Sequence, residues 1–361
     1  MWWVLALVVL VMQLFGWLFG RGLIWLLDGY LKKGGRRVVW LLVFGVGNGL
    51  FALSFLRVWP LLFRLISLWM VVLLYGVLTM LAVWLLGRLL RLKWPPERTA
   101  RLRRVAAVLL FGGLFALSLY NAYTPVVRHY SVRINKPLGR PVRIGMASDL
   151  HLGVLFGSRQ IDELVRIMQR ERVDIILLPG DLMDDDTEAY RLENMQPHLQ
   201  RLRAPLGVYA TLGNHDLFGH QAEIAAALQE AGITVLHDSA VLVDQRFWVV
   251  GRPDEMDTQR ADTADLLAQT DTAQPVFLLD HRPTSIAQHE KLPIDIQMSG
   301  HVHNGQIFPA NLLVKLLNDL AYGYEARGQG HYFVTSGYGF WGVPLRLGSQ
   351  SEVVVIDVAG E

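Results

Sequence analysis

The 361-residue sequence contains no cysteine. That excludes disulfide staples and thiolate metal ligands, and it suits an oxidising or a reducing compartment equally. Acidic residues are nearly missing from the first third, where residues 1–124 hold 14 Lys and Arg but only Asp28 and Glu97. Histidine is absent there, since all 11 histidines follow Tyr123. Charge is scarce overall, at 18% of residues against 52% hydrophobic, with mean hydropathy +0.30. The chain is too apolar for an ordinary soluble domain.

The missing charge is concentrated in four runs, Trp2–Gly20, Val38–Leu56, Leu65–Leu86 and Val105–Tyr123. Each approaches or exceeds the roughly 20 apolar residues that a spanning helix needs. The first lacks the basic start of a cleaved signal, so it reads as a retained helix. Trp2, Trp3, Trp17, Trp25, Trp59 and Trp94 fall at or near the ends, where interfacial aromatics belong. The spans contain no Asp, Glu, Lys or His, and Asn48 is their main polar side chain. That disfavours a transport or proton path and favours an anchor. Gly45, Gly47 and Gly49 are expected to let helices approach closely.

Basic residues set the orientation. The first loop carries Arg21, Lys32, Lys33, Arg36 and Arg37, and the third carries Arg88, Arg91, Lys93, Arg98, Arg101, Arg103 and Arg104. The second holds only Arg57 and Arg64, around Pro60. Loops one and three are expected in the cytoplasm, which leaves the N-terminus and the globular part on the outer side. Arg128, Arg133, Lys136, Arg140 and Arg143, after the fourth span, pull the other way.

Residues 125–361 hold 20 Lys and Arg against 30 Asp and Glu. An acidic domain disfavours nucleic acid as the partner. The expected division is a membrane-spanning helical domain over 1–124 and a globular domain over 125–361. In the latter, short apolar runs alternate with amphipathic segments, the pattern of an α/β fold. Strands are expected at Val142–Ala147, Asp174–Leu178, Gly207–Leu212, Thr234–Leu236, Pro275–Leu279, Ile294–Met298, Tyr332–Thr335 and Glu352–Val358, with a hairpin over Ala240–Val250. Helices are expected at Ile161–Gln169, Glu188–Leu202 (interrupted by Pro197) and Gln221–Ala231.

Five of these strands end on metal-binding residue types: Asp149 and His151, Asp181, Asn214 and His215, His281, and His301 with His303. Ligands of open α/β sheets bind at the carboxyl ends of strands. Each piece alone is weak, because an Asp-x-His is usually a solvated loop and Gly-Asp a turn. Scattered surface residues would not all respect strand ends.

In order, Asp149-Leu150-His151, Gly180-Asp181, Gly213-Asn214-His215-Asp216, His281 and Gly300-His301-Val302-His303 resemble the signature of the calcineurin-like metallophosphoesterases. The resemblance covers about Arg143 to Val358. The segment from Gly300 to Gln306 is similar to the bacterial membrane-associated branch, which includes enzymes cleaving UDP-diacylglucosamine, although Asn304 stands where that branch usually has Gly. The resemblance implies a β-sandwich flanked by helices and a membrane-anchored hydrolase of phosphoesters or pyrophosphates that uses metal-activated hydroxide. It assigns Asp149, His151 and His303 to one metal, Asn214, His281 and His301 to a second, and Asp181 as a bridge. It makes His215 the catalytic residue facing substrate. Mixed nitrogen and oxygen ligands favour two divalent ions of Mn, Fe, Zn or Co over Mg or Ca. A lipid-linked phosphate at a bacterial inner membrane, with the globular domain on the periplasmic side, is the expected setting. The alternative is a membrane assembly or transport-associated protein whose globular domain only binds or regulates.

Other residues invite structural readings. Asp216 is expected to orient His215 or cap the next helix, and Asp184-Asp185-Asp186 to form a solvated loop. Asp280 and Arg282 are expected to be structural or solvent-facing, and His220 to sit at an exposed helix start. In Phe308–Tyr324, Leu312, Leu313, Leu316, Leu317 and Leu320 share one helical face, opposite Lys315, Asn318 and Asp319. That face either packs on the core or lies on a bilayer, with Phe340 and Trp341 joining its rim.

Overall fold

Charge-free length translates directly into the N-terminal architecture. The computed structural model describes residues 2–54, 61–90 and 93–361, and over the first of these the chain is almost wholly helical. Helices α1 (Trp2–Leu26), α2 (Lys33–Ser54), α3 (Leu61–Leu90) and α4 (Pro96–Tyr123) are each long and apolar enough to cross a membrane. Phe55, Leu56, Arg57, Trp59, Pro60 and Arg91, which figured in the expected spans and loops, lie outside the described residues. Met1–Leu117 form one compact unit. Within it Gly20 meets the Trp40 ring and Gly76 meets Phe19, so these glycines provide the close approaches. Of the three glycines expected to do so, Gly47 packs against Trp69, whereas Gly45 and Gly49 face open space. Gln13 Nε2 donates to Asn48 Oδ1 at 2.8 Å, a polar link between α1 and α2. Outward faces carry Leu10, Leu41, Leu42, Leu89 and Leu109, all exposed. Water would penalise that surface and lipid would not.

Ser118–Glu361 form the second unit, which therefore includes the last turn of α4. Its strands are β1 (Val126–Arg133), β2 (Val142–Met146), β3 (Ile175–Pro179), β4 (Val208–Thr211), β5 (Thr234–Val235), β6 (Ser239–Val243), β7 (Phe247–Arg252), β8 (Val276–Asp280), β9 (Ile296–Ser299), β10 (Gly323–Arg327), β11 (Gly330–Val334) and β12 (Glu352–Ala359). They form two six-stranded sheets, ordered β1-β12-β2-β3-β4-β5 and β10-β11-β9-β8-β7-β6. Strands β2 to β5 run parallel, as do β7, β8, β9 and β11. The carboxyl ends in each set therefore point one way.

The two faces of each strand explain the continuous apolar runs. Ile175 and Leu177 enter the core between the sheets, with Ile144, Met146, Phe247, Val249, Phe277, Leu279, Met298 and Ile356. Ile176 and Leu178 face the other way, toward α5 (Ser158–Glu171) and α8 (Gln221–Glu230). A strand covered on both faces has no polar side to display. The other helices are short: α6 (Glu188–Leu192), α7 (Gln196–Leu199), α9 (Thr263–Leu267), α10 (Ile286–His289) and α11 (Ala310–Leu317).

Three local expectations change. Glu188–Leu202 is not one helix, because Asn194 turns left-handed at φ 49° between α6 and α7, and Pro197 fits only in the first turn of α7. Val126–Arg133, for which no element was expected, pairs in parallel with β12. As an edge strand it keeps Arg128, His129 and Arg133 exposed. The Leu-rich face of α11 is not packed on the core, since no residue of that helix is buried. Only Leu320, beyond its end, enters a core cluster.

Candidate metal centre

Loops leaving β2, β3, β4, β8 and β9 carry the candidate residues. Asp149 N donates to Gly180 O at 3.0 Å and His151 N to Asp181 O at 3.1 Å, lacing the first two loops together. His215 N donates to Asp181 Oδ1 at 2.8 Å and His301 N to Asp149 Oδ1 at 2.9 Å, which brings in the third and fifth. Asp149, His151, Asp181, His301 and His303 all have positive φ, between 44° and 70°. Residues with a Cβ avoid that region, and such strain concentrates at functional sites. Asn304 shares it, at φ 47° and ψ 37°. Asparagine tolerates this conformation better than other side chains, so it can stand where glycine is usual without displacing the histidines.

The loops bring Asp149, His151, Asp181, His281, His301 and His303 together, and Asn214 sits buried next to His215 in the third loop. His151 Nε2 lies 3.2 Å from His303 Nε2, and His303 Nε2 lies 3.5 Å from Asp149 Oδ1. Asp181 Oδ2 is 3.2 Å from His281 Nε2 and 3.7 Å from His151 Nε2. Ligand atoms of Asp149, His151 and His303 fall within 4.8 Å of one another, and so do those of Asp181, His281 and His301. Two ligands about 2.1 Å from a tetrahedral or octahedral cation stand about 3.0–3.4 Å apart, so these gaps suit shared cations.

The polar accounting fits the same group. Asp149 Oδ2, His151 Nδ1, Asn214 Oδ1 and His281 Nε2 are buried and make no hydrogen bond among the described residues. Buried polar atoms are otherwise almost always paired. Burial pushes the His151 and His301 imidazoles down to about 3. Burial, with Arg346 nearby, also holds His303 well below its usual value. Neutral imidazole is the form that offers a lone pair to a metal. Burial alone would also lower His281, but Asp181 and Asp149 face it and raise it to about 10. Burial would raise Asp181, yet His281 holds it below the usual carboxylate range. The pocket thus draws positive charge to the gap between them. Donor set and orphaned atoms both fit divalent cations.

Supporting residues fix these ligands. His281 Nδ1 donates to Pro179 O at 2.8 Å, which aims Nε2 at Asp181. His215 Nδ1 lies 2.5 Å from Asp185 Oδ1, and its ring centre is 4.9 Å from that of His151. Burial opposes a charged His215, but the Asp185 hydrogen bond together with the charges of Asp181, Asp185 and Asp184 outweighs it and raises the imidazole above its ordinary value. Asp184–Asp186 form the expected solvated loop, with the Asp185 side chain 51% exposed, yet Asp185 also reaches the site through His215, and Asp184 Oδ1 approaches His151 Nδ1 at 3.9 Å.

Asp216 neither orients His215 nor caps α8. Fully buried, it accepts N–H bonds from Leu182, Met183 and Gly213 at 2.9–3.1 Å. Burial and then Asp181 push its carboxyl up to about 7, against the pull of those donors. Asp280 is buried beside Arg252 and Arg260, and Arg282 pairs with Asp254 at 2.6 Å, so both are structural. His220 sits half-exposed at the start of α8. His129, His198, His237 and His331 pair on the surface, and His289 is buried away from the ligands. Trp341 is 44% exposed with its ring 5.9 Å from His215, whereas Phe340 is buried against Tyr123 and Phe156 and is not part of a rim.

Arg346 was not foreseen. Fully buried, it donates to Ser336 O at 2.7 Å, Gly339 O at 2.5 Å and Ser349 Oγ at 3.2 Å, and its Nη2 stands 3.0 Å behind His303 Nδ1. It lies 43 positions from His303 with no local pattern to mark it.

A buried cluster of aspartates, an asparagine and histidines at the strand ends of an α/β sandwich defines a metal-dependent phosphoester hydrolase, and known proteins bear this out. The profile of the calcineurin-like phosphoesterase family matches residues 142–305. An uncharacterized metallophosphoesterase of Aquifex aeolicus (strain VF5) is 31% identical over 257 residues, 69% of this chain and 97% of that protein. A transmembrane protein with metallophosphoesterase domain from Bos taurus is 29% identical, over 71% of this chain and 62% of its own. Among solved structures, a 5'-nucleotidase precursor from Thermus thermophilus aligns with TM-score 0.37 and 14% identity, over 60% of this chain and 55% of its own. The chain belongs to the calcineurin-like metallophosphoesterases, and it carries four helices of membrane-spanning type.

Proposed function

We propose that the protein is a membrane-anchored phosphohydrolase that cleaves a phosphoester or pyrophosphate of a lipid-linked substrate at the membrane surface. One observation carries this reading: the Asp181 carboxylate stands between two ligand sets, 3.2 Å from His281 and 3.7 Å from His151. Asp149, His151 and His303 would hold one divalent ion and Asn214, His281 and His301 another, with Asp181 within reach of both sets. The mixed donors favour Mn, Fe, Zn or Co. The bound ions supply Lewis acidity and an activated water. The chain's own residues do the rest. Asp181, held by the His215 amide, keeps both ligand sets in register. His215, hydrogen-bonded to Asp185 and raised above its ordinary value by the carboxylates around it, donates to the leaving oxygen or to phosphoryl oxygens.

Residues 1–124 are the membrane domain in this reading and 125–361 the hydrolase. The basic first and third loops support a bacterial inner membrane protein with its hydrolase on the periplasmic side. A topology reporter fused after Glu361 tests that, and activity of a cytoplasmic reporter overturns it. The function is tested by a metal-supplemented screen of the full chain on lipid phosphates, nucleotide-linked lipids and chromogenic diesters. His215→Ala should lower turnover about 10²–10⁴-fold. Parent-level turnover in that variant, or no hydrolysis with any metal, overturns the assignment.

A further inference from the structure

Helix α11 begins at Ala310, shortly after the ligand His303, and presents an apolar face to open surroundings. Leu312, Leu313, Leu316 and Leu317 are 54%, 56%, 83% and 72% exposed. At about 100° per residue they cover an arc of about 140°. Lys315 lies outside that arc. Phe308, just before the helix, is also exposed. Four exposed leucines on two helical turns are costly in water and mark a contact surface. The face adjoins the metal centre, because Gln306 grips the Trp341 backbone through both amide atoms and Trp341 stands beside His215.

The occupant follows from where α4 ends. Its last turn is built into the same unit. Arg346 N donates to Ser118 O at 3.0 Å, Asn121 Nδ2 to Arg346 O at 3.2 Å and Ser351 N to Asn121 O at 2.8 Å. Leu347 then bonds with Gln306 at 2.9 Å and Phe308 at 2.6 Å, at the root of α11. One short segment therefore holds both the end of a membrane-type helix and the start of α11. Tyr123 O–H donates to Leu155 O, and Val154 and Leu155 are exposed there too. Only Thr124 and Pro125 separate α4 from β1.

We infer that the leucine face of α11, with Phe308 and Trp341 at its edge, is seated in the headgroup and acyl boundary of the bilayer that α4 leaves, which sets the mouth of the metal centre at lipid phosphate level. This deepens the hydrolase reading, and only its activity arm rests on that reading.

The absence of native cysteine makes the test clean. Leu316→Cys and Leu192→Cys, the latter at an exposed position of α6, each give a single bimane label on the full chain in phosphatidylethanolamine–phosphatidylglycerol vesicles. At position 316 doxyl-labelled lipid should quench strongly, and iodide should quench at least fivefold less than at 192. Equal iodide quenching at both positions overturns the proposal. So does shielding from iodide without lipid quenching, which signals a second copy of the chain on this face. In the activity arm, Leu313→Gln with Leu316→Gln should cut turnover of a vesicle-borne lipid phosphoester about tenfold and leave a soluble chromogenic diester unchanged. Equal losses on both substrates overturn it. Lipid-quenched label with no hydrolysis by the parent would sink the hydrolase reading and leave the seating intact. Water-exposed label with normal diester hydrolysis would do the reverse.

Discussion

Asp216→Asn separates two accounts of a residue that touches no substrate. The Asp216 carboxylate takes N–H bonds from Leu182 and Met183, beside Asp181, and from Gly213, beside Asn214. It therefore clamps the two loops that present Asp181 and Asn214, the bridge and the amide ligand of the proposed centre. Asparagine has the same shape, but one of its terminal atoms donates instead of accepting. At least one of the three backbone amides then loses its partner and faces another N–H in a fully buried site. Hydrogen bonds to a charged group contribute about 1.5–3 kcal/mol, and an orphaned buried donor costs about 1–3 kcal/mol. A loss of about 2–5 kcal/mol follows. For a domain of 150–250 residues, each kcal/mol moves the midpoint by about 2–4 °C, so the midpoint should fall by roughly 5–20 °C. Metal retention at Asp181 and Asn214 should weaken about 10–100-fold, as when other outer partners are removed. Near-ultraviolet circular dichroism melts of the detergent-solubilised full chain, paired with metal stoichiometry, read both quantities. A variant that keeps the parent midpoint and metal content refutes the clamp. If only turnover falls, Asp216 acts through His215 after all.

Arg346→Lys should lower metal retention at the Asp149–His151–His303 set about 10–100-fold, because one ammonium cannot replace the guanidinium fork that meets Ser336, Gly339, Ser349 and His303. Metal titration showing two unchanged sites would remove Arg346 from the centre. Acid sensitivity should come partly from His289, which is buried between Gln297 Oε1 and Thr263 Oγ1 at 2.8 Å each and held down to about 4 by burial. A depressed histidine favours the fold above its unfolded value near 6.5, and that stability drains as pH falls from about 6.5 toward 4. The contribution is roughly 3 kcal/mol at most. His289→Gln should flatten the fall in unfolding midpoint between pH 7 and 4 relative to the parent, and parallel curves would contradict it.

Much of this protein is written in one dimension. Spanning helices announce themselves by the absence of charge over about 20 residues, because lipid tolerates no unpaired polar group. The strands β3 and β8 announce themselves as apolar runs cut off by Gly, Asp or His, as expected of strands buried on both faces. The turn at Asp244 and Gln245 is equally local, and both residues adopt positive φ there.

What sequence could not decide were relations between distant segments. The chain by itself determined which residue types stand at strand ends, and hence the chemistry offered. Only the folded arrangement decided that Asp185 serves His215 across 30 positions, that Asp216 serves two loops and not its neighbour, and that Arg346 backs His303. Periodicity placed Leu312, Leu313, Leu316 and Leu317 on one face of α11, but what covers a face depends on elements far along the chain. A residue's type and spacing are local properties, whereas its partner is chosen by how the sheets stack and where the loops cross.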